Sequence, residues 1–256
     1  MSRNFILIII TTLLLSSCAK QTEKITAISQ INGKRICVLT GSAGDLTARR
    51  LFPDSRFLDI AGSSDAALAV KTGKADAFIY DKGVLDKIIE KNPDLKILDQ
   101  PVSKLDVAIA LNKNNNTLRS RINEVLRHLK EEGVLDALKK KWVDTKYSQA
   151  PEVAEVPNSG SNGVLRMGTC AIYEPFTFKS FEKYTGLDIE LIKLIGSRLS
   201  MKVDITDMNF DALIPALQSD KIDLAISNFN VTEERKKSIS YSDPYIGNDI
   251  SVLVKK

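Results

Sequence analysis

The stretch NFNVTEERKK, residues 228–237, places a cation where a helix begins. Thr232 is of the N-cap type, and Glu233 and Glu234 occupy the first turn, where the helix dipole favours acids. Arg235, Lys236 and Lys237 follow while still near the positive end. A basic group there calls for an anion to meet it. Lys236 and Lys237 read as solvated surface charges, and Arg235 is the candidate anion-binding group, with a solvated arginine as the bland alternative. Catalysis has little to draw on. His128 is the single histidine, among charged residues on a helix, so neither a His-based triad nor a metal cluster is expected. No phosphate-binding glycine loop appears, and no cofactor is expected.

The elements that must carry these residues alternate. RICVLTG, RFLDIA, ADAFIYD and LKILD read as buried strands. Helix-like pieces separate them at 45–51, 63–72 and 83–91. Such alternation predicts an α/β protein with parallel, doubly wound sheet. Residues 105–113, LDVAIALNK, read as another strand before a long amphipathic helix, whose Leu118, Ile122, Val125, Leu126 and Leu129 share one face. Residues 147–163, YSQAPEVAEVPNSGSNG, have no periodicity and read as a linker. A second βα series then runs from VLRMGT through KVDITDM and KIDLAIS to DISVLVKK.

The chain has 256 residues, 43% of them hydrophobic and 27% charged, which suits two lobes with real cores. The net charge of +4 is mild and its lysines are spread, so no nucleic-acid partner is expected. The N-terminus, MSRNFILIIITTLLLSSCAK, has Arg3 and an apolar run too short for an ordinary span. Its LSSC resembles a bacterial lipobox, against the alternative of an ordinary signal peptide with an incidental cysteine. The expectation is a signal peptide over 1–17, lipidation at Cys18, and export to the periplasm or cell surface on a lipid anchor. Cys37 and Cys170 lie in separate strand-like runs, and two separate thiols are expected.

The second half resembles the extracytoplasmic solute-binding proteins that feed polar amino acids to ABC importers (family 3). The resemblance rests on VLRMGTCAIYEPFTF, YTGLDIELIKLI, FDALIPALQSDKIDLAIS, NVTEERKKSISYSDPY and SVLVKK. The first half is similar too, through INGKRICVLTGSAGD, KTGKADAFIYD and the run from Val107 to Trp142. The segments stand in circularly permuted order, joined through the 147–163 linker, which as a flexible coil spans about 20 Å. The resemblance implies a two-lobed periplasmic binding protein-like (type II) fold with hinge-linked lobes. Its implied plan is a tether over 18–30, lobe 2 over 31–106, a crossover strand and C-terminal helices of lobe 1 over 107–146, and the main part of lobe 1 over 164–256. The final SVLVKK is then expected to stop at the hinge, leaving the crossing near Leu105 to Lys113 as the covalent one.

By the same resemblance, Arg235 grips the ligand α-carboxylate, a task suited to a guanidinium. Ser227, Asn228 and Asn230 contact the amino and carboxylate groups, although a turn explains Asn228 nearly as well. Thr40, Ser42 and Ala43, in TGSAGD, approach the carboxylate from the other lobe. Asp81 receives the ammonium, with a helix N-cap as its alternative. Tyr173 and Phe210 sandwich the ligand side chain, core packing being the rival for Phe210. Cys170 stands where histidine- and lysine-binding relatives often have an acid, which favours a polar, uncharged ligand side chain. The implied partners are an amino acid, an ABC permease and the membrane through the anchor alone, for a monomer. The rivals are a cyclohexadienyl dehydratase-like lyase, with Glu174 as its acid, and a ligand sensor for a separate receptor.

Overall fold

A computed structural model describes residues 24–147, 149–157 and 159–256. The expected signal peptide over 1–17 and the expected lipidation site Cys18 lie outside the described residues. The chain opens with β1 (Arg35–Val38), α1 (Ala43–Leu51), β2 (Arg56–Asp59), α2 (Ser63–Lys71), β3 (Ala77–Asp81), α3 (Lys82–Lys91), β4 (Leu95–Ile97) and β5 (Ser103–Val107). It continues with β6 (Ala110–Leu111), α4 (Asn116–Glu131) and α5 (Val134–Lys139). No helix or strand occupies the described residues of 147–163. Then come β7 (Val164–Thr169), β8 (Ile172–Tyr173), β9 (Thr177–Ser180), β10 (Lys183–Thr185), α6 (Leu187–Leu199), β11 (Lys202–Asp207) and α7 (Phe210–Gln218). β12 (Leu224–Ala225), α8 (Glu233–Lys236), β13 (Ser240–Tyr241) and β14 (Ile246–Lys255) complete the order.

Two sheets form the cores of two lobes. One runs β2-β1-β3-β14-β4, with β5 also on β14; the other runs β11-β7-β12-β6-β13. The first three strands of each are parallel, as the alternation predicts. The rest of each sheet is antiparallel, against expectation. The reason is the crossing. β3 ends at the cleft with Asp81, whereas β14 enters from the cleft, so the two must run in opposite directions.

The assignment of the last strand is corrected in the same way. Expected to run out of lobe 1 and stop at the hinge, β14 instead crosses the sheet of lobe 2 beside β3, with Ile250 opposite Asp81 and Val254 opposite Ala77. The main part of lobe 1 therefore ends before Ile246. The run LDVAIALNK is likewise two strands, β5 in the first sheet and β6 in the second, with Ala108 and Ile109 buried between them. Both crossings, 108–109 and 242–245, are thus covalent.

Strand alternation explains the burial. On β3, Ala77 and Ile79 join one apolar cluster, while Phe78 and Tyr80 join the other. A strand covered on both faces reads as the continuous apolar run AFIYD. Ile25 and Ile31 pack in the same cluster as Ile250, Val252 and Val254. All five residues of the α4 stripe are buried. Each lobe repeats one corner: Arg35 grips Asp76 at 2.6 Å, and Arg166 grips Asp223 at 2.5 Å. Cys37 and Cys170 are buried free thiols. Among the described residues no helix is long and apolar enough to cross a membrane.

Candidate functional site

The sites named from sequence converge. Arg235, Asp81, Tyr173, Phe210, Ser227, Asn228, Asn230, Thr40, Ser42 and Ala43 all line one cavity of about 500 Å³ between the lobes. Thr232 caps α8 as expected, its hydroxyl accepting from the Arg235 amide at 3.3 Å. That short helix turns Arg235 inward, where it is 7% exposed. Its Nη1 donates to the Asn230 carbonyl at 3.0 Å, and its Nη2 to the Gly41 carbonyl of the other lobe at 3.0 Å. The guanidinium also lies 5.0 Å from the Phe210 ring centre and 4.7 Å from that of Phe229. Burial lowers its pKa, opposed by Tyr241 and Asp81. A guanidinium has five N–H donors, so donors remain for an arriving carboxylate.

Asp81 ends β3 from the other side and is 2% exposed. It precedes α3 but makes no side-chain cap bond, so the N-cap alternative is not realised. Its Oδ1 instead accepts from Asn230 Nδ2 at 2.7 Å and from Asn248 Nδ2. Burial raises the pKa of its carboxyl, and the amides of Asn230, Asn248 and Asn228 oppose the shift.

The remaining wall residues divide by what their side chains already hold. Ser227 Oγ accepts from the Cys170 amide at 3.1 Å and ties two turns together. Asn228 takes a left-handed φ of 47°, as asparagine tolerates, and its buried Oδ1 has no hydrogen-bond partner among the described residues. The Asn230 amide is occupied by Asp81, Asn248 and the Asn228 carbonyl. Ser42 caps α1, accepting from the Asp45 amide at 3.1 Å, and Thr40 donates to Asp59 at 3.1 Å. Tyr173 and Phe210 meet at 78°, edge to face, not as two parallel plates. Phe210 stacks on Phe229, with centres 4.9 Å apart. Glu174 does not line the cavity; it pairs with Lys91 at 3.1 Å.

Among the residues in and behind the wall that escaped the sequence reading are Tyr80, Asp188 and Asn248. Tyr80 lines the cavity beside Tyr173, with ring centres 6.2 Å apart; its place next to Asp81 on an alternating strand was an available signal. Asp188 is wholly buried behind the wall and accepts from the Asn228 amide and the Tyr245 hydroxyl, each at 2.7 Å. Burial pushes its carboxyl up to about 6. Asn248 touches Asp81 from β14, and no local pattern marks it.

Residues 165–256 match the profile of the bacterial extracellular solute-binding proteins, family 3. The arginine-binding extracellular protein ArtP of Bacillus subtilis is 38% identical over 102 residues, 39% of this chain and 40% of that protein. A probable histidine-binding protein of Campylobacter jejuni is 42% identical over 81 residues, 32% of each chain. The chain thus spans less than half the length of these curated relatives. Among solved structures, the arginine-bound domain 1 of TmArgBP is 39% identical, with 38% of this chain and 82% of that one covered, at a TM-score of 0.33.

Proposed function

The chain belongs to the family 3 bacterial extracellular solute-binding proteins through residues 165–256, and on that premise we propose that it captures an amino acid outside the cytoplasm and delivers it to the permease of an ABC importer. The observation that carries this reading is one buried cation and one buried anion, Arg235 and Asp81, on opposite lobes of one cavity. A zwitterion needs that pair: the guanidinium for its carboxylate and the carboxylate for its ammonium. Ligand contacts with both lobes then bias a hinge motion about 108–109 and 242–245 toward closure.

The finer parts of the proposal have separate supports. The wall carries Cys170, three aromatic rings (Tyr80, Tyr173 and Phe210) and the carboxylates of Asp211 and of Asp59, the latter paired with Arg49 at 2.6 Å. The polar, uncharged ligand side chain rests on Cys170 standing where cation-binding relatives often have an acid. Circular permutation agrees with β14 completing the sheet begun by β1 to β3, beside the Ile25 and Ile31 cluster. Lipidation at Cys18 is supported by the lipobox-like LSSC.

The test is calorimetry with each of the twenty amino acids, followed by mass spectrometry of what is released. At least one should bind and return unchanged. Binding by none would remove the proposal, and a converted product would restore the lyase.

A further inference from the structure

We propose that Asn248 is a positioning residue for the ligand ammonium group, holding Asp81 and Asn230 in register from behind the cavity. The proposal rests on the reading of Asp81 as the ammonium acceptor. Asn248 stands three residues into β14's antiparallel run against β5, just after the second crossing, and is 8% exposed. It is not among the residues lining the cavity. Its Nδ2 donates to both Asp81 Oδ1 and Asn230 Oδ1, the latter at 2.9 Å.

Those two bonds determine more than its own orientation. Because Asn230 Oδ1 accepts from Asn248, the Asn230 amide nitrogen must face Asp81, to which it donates at 2.7 Å. The three side chains therefore close a triangle, each bonded to the other two. Its corners come from the end of β3, from β14, and from the turn leading to α8, so the triangle spans both lobes. Asp81 Oδ1 takes the Asn230 and Asn248 amides, and the Asn228 amide also supports the carboxylate. With about four lone-pair sites, the carboxylate keeps acceptor capacity for an ammonium. Amide donors on a buried carboxylate favour its charged form, the form that a cation needs. The other titratable groups facing Asp81 are Arg235, Tyr80 and Tyr173. Burial pushes both phenols up, so they stay neutral near pH 7.

The experiment titrates wild type with each of the twenty amino acids, then with the des-amino analogue of the strongest. Asn248→Ala and Asn248→Ser follow across pH 4–8. Asn248→Ala should weaken binding about 10- to 100-fold at neutral pH, the loss associated with a hydrogen bond to a charged group. The acid limb of its binding profile should move up in pH, because the Asp81 carboxylate loses a donor that favours its charged form. Asn248→Ser, which keeps a hydroxyl donor, should fall between Asn248→Ala and wild type. A merely structural role would change the thermal midpoint and leave the acid limb in place. An unmoved limb with unchanged affinity in Asn248→Ala overturns the proposal while the amino-acid reading stands. If no amino acid binds, or if the des-amino analogue binds wild type equally well, the role of Asp81 fails and the proposal fails with it.

Discussion

Arg235 and Asp188 are both removed from water, and they answer to different demands. Arg235 keeps its charge under burial because carbonyls, aromatic faces and Asp81 surround it. Replacing it by alanine should remove most ligand affinity, at a cost on the order of 2–5 kcal/mol, the range for truncating one partner of a buried charge pair. Near-normal affinity by calorimetry would dismiss its carboxylate role. Asp188 has neither a cavity nor a described ion pair. Its folded pKa of about 6 lies above the ordinary 3.8, so the native state binds the extra proton. Its contribution to stability is therefore most favourable below pH 4 and is lost as pH rises through 6. The two-unit difference corresponds to about 3 kcal/mol. Asp188→Asn should remove this slope, although one of its two donors then faces an amide N–H. Urea unfolding from pH 4 to 7 should show wild type losing ground to the variant; parallel curves would contradict the assignment.

At the scale of elements, the cleft turn at Thr40 to Ala43 is positioned by how closely α1 lies on β3. A Cβ on Gly44 would overlap the Ile79 carbonyl oxygen and come within 3.1 Å of the Tyr80 Cα. Backbone cannot give way as a flexible side chain can. Gly44→Ala should push α1 outward and destabilise the fold by about 1–3 kcal/mol. The same shift moves the Gly41 carbonyl off Arg235, so ligand affinity should fall together with the urea midpoint. A stability loss with unaltered affinity would separate the helix from the site.

For the whole molecule, α3 decides how nearly the lobes can approach. Gly83, Lys87 and Lys91, at successive turns, all face the opposite lobe. A Cβ at Gly83 would come within 3.1 Å of the Phe176 ring, Lys87 donates to the Thr145 carbonyl at 3.1 Å, and Lys91 meets Glu174 at 3.1 Å. None of the three lines the ligand cavity. Gly83→Leu should wedge the lobes apart, raise the radius of gyration of the unliganded protein in X-ray scattering, and weaken binding in proportion to the lost closed population. An unchanged radius and affinity would mean that these contacts do not control closure.

Local pattern was enough for the N-cap at Thr232, the α4 stripe and the buried strands β1 and β3. The ten residues that meet in the cavity were named through the family resemblance, and β2, expected to be buried, lies at the sheet edge with no buried residue. A cap needs one side chain and its next turn, and a stripe needs only its own period. Partners are another matter. SVLVKK shows two buried faces but nothing that says which sheet covers them, and LDVAIALNK gives no sign that its two halves enter different lobes. Those choices follow from where the chain crosses the cleft, since a strand entering from the cleft must lie antiparallel to one that ends there. Asn248 and Asp188 were invisible for the same reason. Each acquires its role from residues far away in sequence, Asn248 from Asp81 and Asp188 from Tyr245, and only long-range pairing brings them within hydrogen-bond reach.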